Sequence, residues 1–117
     1  MRIETADPTI DKAWYVGPWN SDLTISVGCA NKGMDDPHVH LRTTEVYLVA
    51  RGTSEIRVEQ ESVCLQAGDM IVIEPGEAQT FTPSSPENLH FVIHVPRLSS
   101  EEARADRCSV RRSRLGL

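Results

Sequence analysis

No run of apolar residues in this chain approaches the roughly 20 that a membrane-spanning helix needs. Met1-Arg-Ile-Glu opens no signal peptide, so the expectation is a cytoplasmic protein with no membrane partner. Cysteine is scarce: Cys29, Cys64 and Cys108 are odd in number, far apart, and contain no Cys-x-x-Cys pair. That excludes a disulfide scaffold and a thiolate zinc site, and predicts reduced, mostly buried thiols. Cys29 shares the parity of Leu23, Ile25 and Val27, which places it on an apolar face. Basic residues are also thin over most of the chain. Residues 1–96 hold 6 Lys and Arg against 14 Asp and Glu, which does not suit a phosphate backbone. Residues 97–117 reverse the balance, with 6 Arg against Glu101, Glu102 and Asp106. This basic tail either touches an acidic surface or folds back on the acidic body; a nucleic-acid partner is disfavoured. Aromatic residues make up only 5% of the chain, yet Trp14, Tyr15 and Trp19 crowd around Gly17-Pro18. Such a cluster covers a core, makes a subunit contact or lines a ligand pocket.

What is present is a single domain's worth of chain, 117 residues with 39% apolar and 25% charged side chains. Period-two alternation broken by turn residues runs from residue 23 to 95. Leu23–Cys29 alternates cleanly, and Glu45–Arg51 faces Ser54–Glu59 across Gly52, the signal of a hairpin. Ser62–Gln66 leads into the Ala67-Gly68-Asp69 turn, and Met70–Ile73 then reads as a buried strand. Gln79–Thr82 and His90–Val95 supply two more strands. Short strands at this spacing indicate an all-β sandwich or barrel. The division expected is an N-terminal segment over 1–22 that covers the barrel or contacts a partner copy, a barrel over 23–96, and a tail over 97–117. Ser99 and Glu102 fit a capping box, so the tail is expected to be a short frayed helix or a disordered end.

The most informative run is His38-Val-His-Leu-Arg-Thr-Thr-Glu45, closed by Gly52. Residues i and i+2 of a strand share a face with Cα atoms about 6.6 Å apart, so two imidazoles can close on one metal ion. Glu45 can return across the sheet as a charged oxygen ligand. Buried polar groups cost free energy unless paired or metal-bound, which makes this trio an expensive choice for a plain core.

These residues resemble the first motif of the cupin superfamily: a glycine, a His-x-His pair, a glutamate and a closing glycine. Gly33, His38, His40, Glu45 and Gly52 take those places, with Gly33 one residue nearer than usual. Gly68 to Gln79 is similar to the second motif, with two departures: Glu74 stands for the first proline, and Gln79 stands where the family places a fourth metal ligand, a histidine. The resemblance implies a small jelly-roll β-barrel of two antiparallel sheets, often a homodimer, with one metal inside the mouth and a small-molecule ligand. The implied cofactor is one divalent ion (iron, manganese, nickel or zinc) held by His38, His40, Glu45 and Gln79, the last either as ligand or as hydrogen-bond partner. A site of that composition carries a residual charge of about +1 and favours an anionic or enolate-like ligand.

The function expected is therefore a small metal-dependent enzyme of dioxygenase, isomerase or lyase type, the alternative being a non-catalytic binding barrel. Glu45, Tyr47 and His94 are the catalytic candidates, with Arg42 a further candidate for the pocket wall. Arg57, by its parity, points to solvent. His90 and His94 share the parity of Val92. They face solvent if the Phe91 face packs the core, which is the commoner placement of a histidine. If the Val92 face does, one of them can replace the missing ligand.

Overall fold

The alternating segments become ten strands in two antiparallel sheets of five in the computed structural model, which describes residues 1–117. One sheet carries β1 (Lys12–Val16), β2 (Ser26–Ala30), β4 (Thr44–Arg51), β7 (Met70–Ile73) and β9 (Leu89–Val95), in the order β1-β2-β9-β4-β7. The other carries β3 (His38–His40), β5 (Thr53–Val58), β6 (Glu61–Gln66), β8 (Gln79–Phe81) and β10 (Arg107–Ser109), in the order β10-β3-β8-β5-β6. A short helix α1 (Ser100–Asp106) precedes β10, and a 3₁₀ turn over Arg112–Leu115 follows it. The expected all-β barrel of two antiparallel sheets is present.

The core lies between the sheets, where Tyr47, Val49, Ile56, Leu65, Ile73, Phe81 and Val92 form one buried cluster. Burying side chains of this size contributes about 1.5–3 kcal/mol each. The cross-strand register of the first sheet sets three inward rows. Lys12, Ala30, His90 and Val49 lie side by side; so do Trp14, Gly28, Val92 and Tyr47; so do Ser26, His94, Glu45 and Ile73. The small residues of β2 leave a trough between β1 and β9. A Cβ on Gly28 would stand 2.9 Å from the Trp14 ring, so the trough lets Trp14 lie across β2 toward β9.

Several expectations need correction. Gly52, at φ 70°, does not close a hairpin: β4 and β5 belong to different sheets, and the turn carries the chain across the barrel. The true hairpin is β5–β6, turned at Glu59 with φ 48°. The Met70–Ile73 strand is not buried on both sides. It is a sheet edge with Met70 and Val72 exposed and Ile73 inside. Leu23 is exposed and precedes β2, and Cys64 is exposed while Cys29 is buried. The tail is neither frayed nor loose. The capping box at Ser99 and Glu102 forms, β10 pairs with β3, and Leu115 is fully buried. Its charge finds the acidic body of the same chain, through Arg107–Asp36 at 3.0 Å and Arg114–Glu59 at 2.7 Å.

Candidate metal centre

Strand β3 delivers His38 and His40 to the cavity side of one sheet, and β4 brings Glu45 from the other. All three are buried, and one ligand atom from each lies within 4.8 Å of the others. His40 Nε2 is 2.5 Å from Glu45 Oε1, and His38 Nε2 is 3.7 Å from the same oxygen. The remote ring nitrogens are held in ways that fix the rings. His38 Nδ1 donates to the backbone carbonyl of Asp36 at 2.8 Å, so its proton sits there and Nε2 presents a lone pair. His40 Nδ1 lies 2.8 Å from Asp106 Oδ2, a carboxylate that performs the same task.

His94 joins this group. It is the direct cross-strand partner of Glu45, and its Nε2 lies 3.2 Å from Glu45 Oε2. The Val92 face of β9 is therefore the inner one, and the expectation of two surface histidines is wrong. Val92 pairs with core Tyr47 on one side and Gly28 on the other, which turns Phe91 and Ile93 outward. The His94 ring packs edge-on against Trp14, with centroids 4.7 Å apart. Despite its nearness to Glu45, His94 Nε2 makes no hydrogen bond and is buried.

Gln79 is the cross-strand partner of His38 and is fully buried. Its amide nitrogen donates to Glu45 Oε1 at 2.9 Å, while its Oε1 has no partner. Burial alone would raise the Glu45 carboxyl, but the His38, His40 and His94 imidazoles gathered around it override that and hold the group well below the usual carboxylate range. Burial pulls His40 down, and the carboxylates of Glu45 and Asp106 more than offset it, so that imidazole is raised. Tyr47, buried and facing the Glu45 charge, is pushed well above the ordinary phenol value and keeps its proton.

His90 occupies the deeper part of the same cavity. It stacks on Phe81 with centroids 5.0 Å apart, and Tyr47 meets it edge-on. Asn88 donates through its amide nitrogen to Thr53 O and the Ser54 hydroxyl, which leaves Asn88 Oδ1 to accept from His90 Nδ1 at 3.1 Å. Burial, with Lys12 nearby, lowers His90 to about 4. It is a neutral imidazole whose Nε2 is the free acceptor.

The cavity that joins these groups has a volume of about 510 Å³. Trp14, Trp19, Met34, Leu98, Lys12 and Arg107 form its outer wall. Of the N-terminal aromatics, Trp14 and Trp19 thus line the cavity, whereas Tyr15 accepts a hydrogen bond from Asp7 N. Arg42 is not in the wall: its side chain is exposed and paired with Glu102. Arg57 does not simply enter solvent either, since its Nε donates to the Leu115 carbonyl at 2.8 Å. Asp106 was missed altogether. Its only sequence signal is an acidic residue in an Arg-rich tail, which does not reveal that β10 will lie beside β3.

Residues 27–95 match the family model described as the cupin domain, more than half of the chain. The chain is a cupin. Among curated proteins none matches the sequence closely enough to count as a relative. Solved structures are similar in fold. Pac13 from Streptomyces, in a structure with uridine, superposes with TM-score 0.66 at 19% identity, over 86% of this chain and 79% of that one. Pac13 is described as a nucleoside dehydratase. KdgF from Halomonas sp. gives TM-score 0.66 at 21% identity, over 84% of this cupin and 88% of its own chain. A protein from Planctomyces limnophilus gives 0.68 at 18% identity, over 92% and 96%. These likenesses concern the fold.

Proposed function

We propose that this cupin is a metal-dependent enzyme that carries out elimination or isomerisation on a small, polar, ring-bearing molecule. One observation carries the reading: three imidazole Nε2 atoms converge on the Glu45 carboxylate at the cavity wall, and two buried polar atoms beside it, His94 Nε2 and Gln79 Oε1, have no partner. Buried lone pairs left unpaired are costly; a cation would satisfy His94 Nε2, and a water or substrate bound beside it would satisfy Gln79 Oε1. The donor set fits a divalent ion of the iron, manganese, nickel or zinc group. His38, His40, Glu45 and His94 would hold it. Gln79, whose amide proton already engages Glu45, would steady that carboxylate and leave its oxygen for a bound water or substrate. When bound, such an ion supplies a Lewis acid that polarises a substrate oxygen.

The chain's own groups support proton transfer beside that centre. Tyr47 holds its phenolic proton and is a donor; His90 is neutral and an acceptor at Nε2. Glu45 remains ionised. Trp14 and Phe81 offer flat apolar faces, and Lys12 and Arg107 supply positive charge at the wall. A cavity of about 510 Å³ is in the range of small-molecule sites. That Pac13 is seen with uridine and is described as a nucleoside dehydratase makes nucleosides the first compounds to try.

The test is turnover by zinc-, manganese- and iron-loaded protein on a panel of nucleosides, followed by NMR, with Tyr47→Phe as control. Product that appears with wild type and falls sharply in Tyr47→Phe supports the reading. Tight binding of panel members without conversion by any loaded form favours a binding module.

A further inference from the structure

The segment that matches the cupin domain ends at residue 95, yet one of the candidate ligands is held from residue 106. The antiparallel ladder of β10 on β3 pairs Arg107 with His40, Cys108 with Val39 and Ser109 with His38. That register places Asp106 at the end of the ladder, where Leu41 N donates to its backbone carbonyl at 2.9 Å. The residue is 3% exposed. Oδ1 accepts from Arg42 N at 2.6 Å, and Oδ2 lies 2.8 Å from His40 Nδ1. The tail around it is fastened at both ends: the capping box begins α1, and Leu115 is buried beneath the Arg57 hydrogen bond to its carbonyl. A buried carboxylate is expensive in a segment whose other task, covering the cavity, an apolar residue would do more cheaply.

We propose that Asp106 is the positioning residue for His40, so that the tail beyond the matched domain is part of the metal centre. The inference rests on the metal reading above. By accepting a hydrogen bond from Nδ1, Asp106 fixes the tautomer and the ring plane and leaves Nε2, on the Glu45 side of the ring, free to ligate a metal held between them. It also makes that nitrogen a stronger donor. His38 receives the same service from the Asp36 carbonyl, a neutral acceptor, so the two ligands of the His-x-His pair are not equivalent.

The experiment titrates zinc and cobalt ions, against a chromophoric chelator, into wild type, Asp106→Asn and Leu115→Ala. Asp106→Asn should bind ten- to a hundredfold more weakly at nearly unchanged melting temperature. Leu115→Ala should melt earlier and bind as wild type does, because it loosens the tail without touching the carboxylate. Proton NMR of the zinc-loaded wild type, with ¹⁵N-labelled histidine, should show His40 protonated at Nδ1 in a strong hydrogen bond. A His40 that is unprotonated at Nδ1 overturns the proposal without recourse to any variant. So does an Asp106→Asn affinity within twofold of wild type. Wild type that takes up neither metal overturns the metal reading and this proposal together; uptake with an indifferent Asp106→Asn overturns only the role of Asp106.

Discussion

Replacing His90 by Gln tests the internal logic of the cavity, because the effect can be sized from the structure. His90 is buried, packed between Phe81 and Tyr47, and lowered from an ordinary 6.5 to about 4 by burial and Lys12. A depressed histidine disfavours the proton in the folded state. The unfolded chain gains that proton as the pH falls through 6.5, and the folded chain gains it only near 4. Stability is therefore intact above 6.5 and is lost on acidification toward 4. At about 1.36 kcal/mol per pH unit, His90 alone removes about 2.5 kcal/mol between pH 7.5 and 4.5. Glutamine has no titrating group and retains an amide donor for Asn88. Urea denaturation of both proteins across that range reads the difference, and effects from the other histidines cancel to the extent that they act independently. Wild type should lose about 2.5 kcal/mol more than His90→Gln. Equal pH slopes, within about 0.5 kcal/mol, would refute the placement of His90 as a neutral buried imidazole.

Gly33→Ala should destabilise the fold by about 1–3 kcal/mol, since a Cβ there would stand 2.0 Å from Phe81 Cγ, an overpacking that only displacement of the ring can relieve. Denaturant titration checks it, and a neutral result would mean that the loop before β3 yields freely. A divalent metal at a hundred times its dissociation constant should add about 2.7 kcal/mol to wild type, a rise in melting temperature of about 10 °C. The rise should vanish on chelation and be absent from His38→Ala/His40→Ala; an equal rise in that double variant would place the metal elsewhere.

The parts of this protein that were legible in its sequence are those that depend on local spacing. His38-Val-His40, Glu45 and the glycine punctuation identified the barrel, because parity within a strand decides which side chains share a face. The capping box at Ser99 was equally local. What was not legible depends on which strands become neighbours. Gly52 looks the same whether it closes a hairpin or carries the chain to the other sheet. The inward face of β9 follows from Val92 lying between Gly28 and Tyr47, a relation between three strands far apart in sequence. Asp106 reaches His40 only because β10 adds itself to the edge of β3. The charge reversal of the tail left two outcomes open, and the structure takes the return to the acidic body of the same chain, through Arg107 and Arg114.

The central claim is that His38, His40, Glu45 and His94 hold a divalent metal. Elemental analysis of protein purified without an affinity tag or added metal, beside His38→Ala/His40→Ala, tests it most directly. Near-stoichiometric iron, manganese, nickel or zinc in wild type, lost from the double variant, is the predicted result. Wild type without metal, even after incubation with each of those ions, would contradict the claim and leave a barrel whose buried histidines and carboxylates serve one another alone.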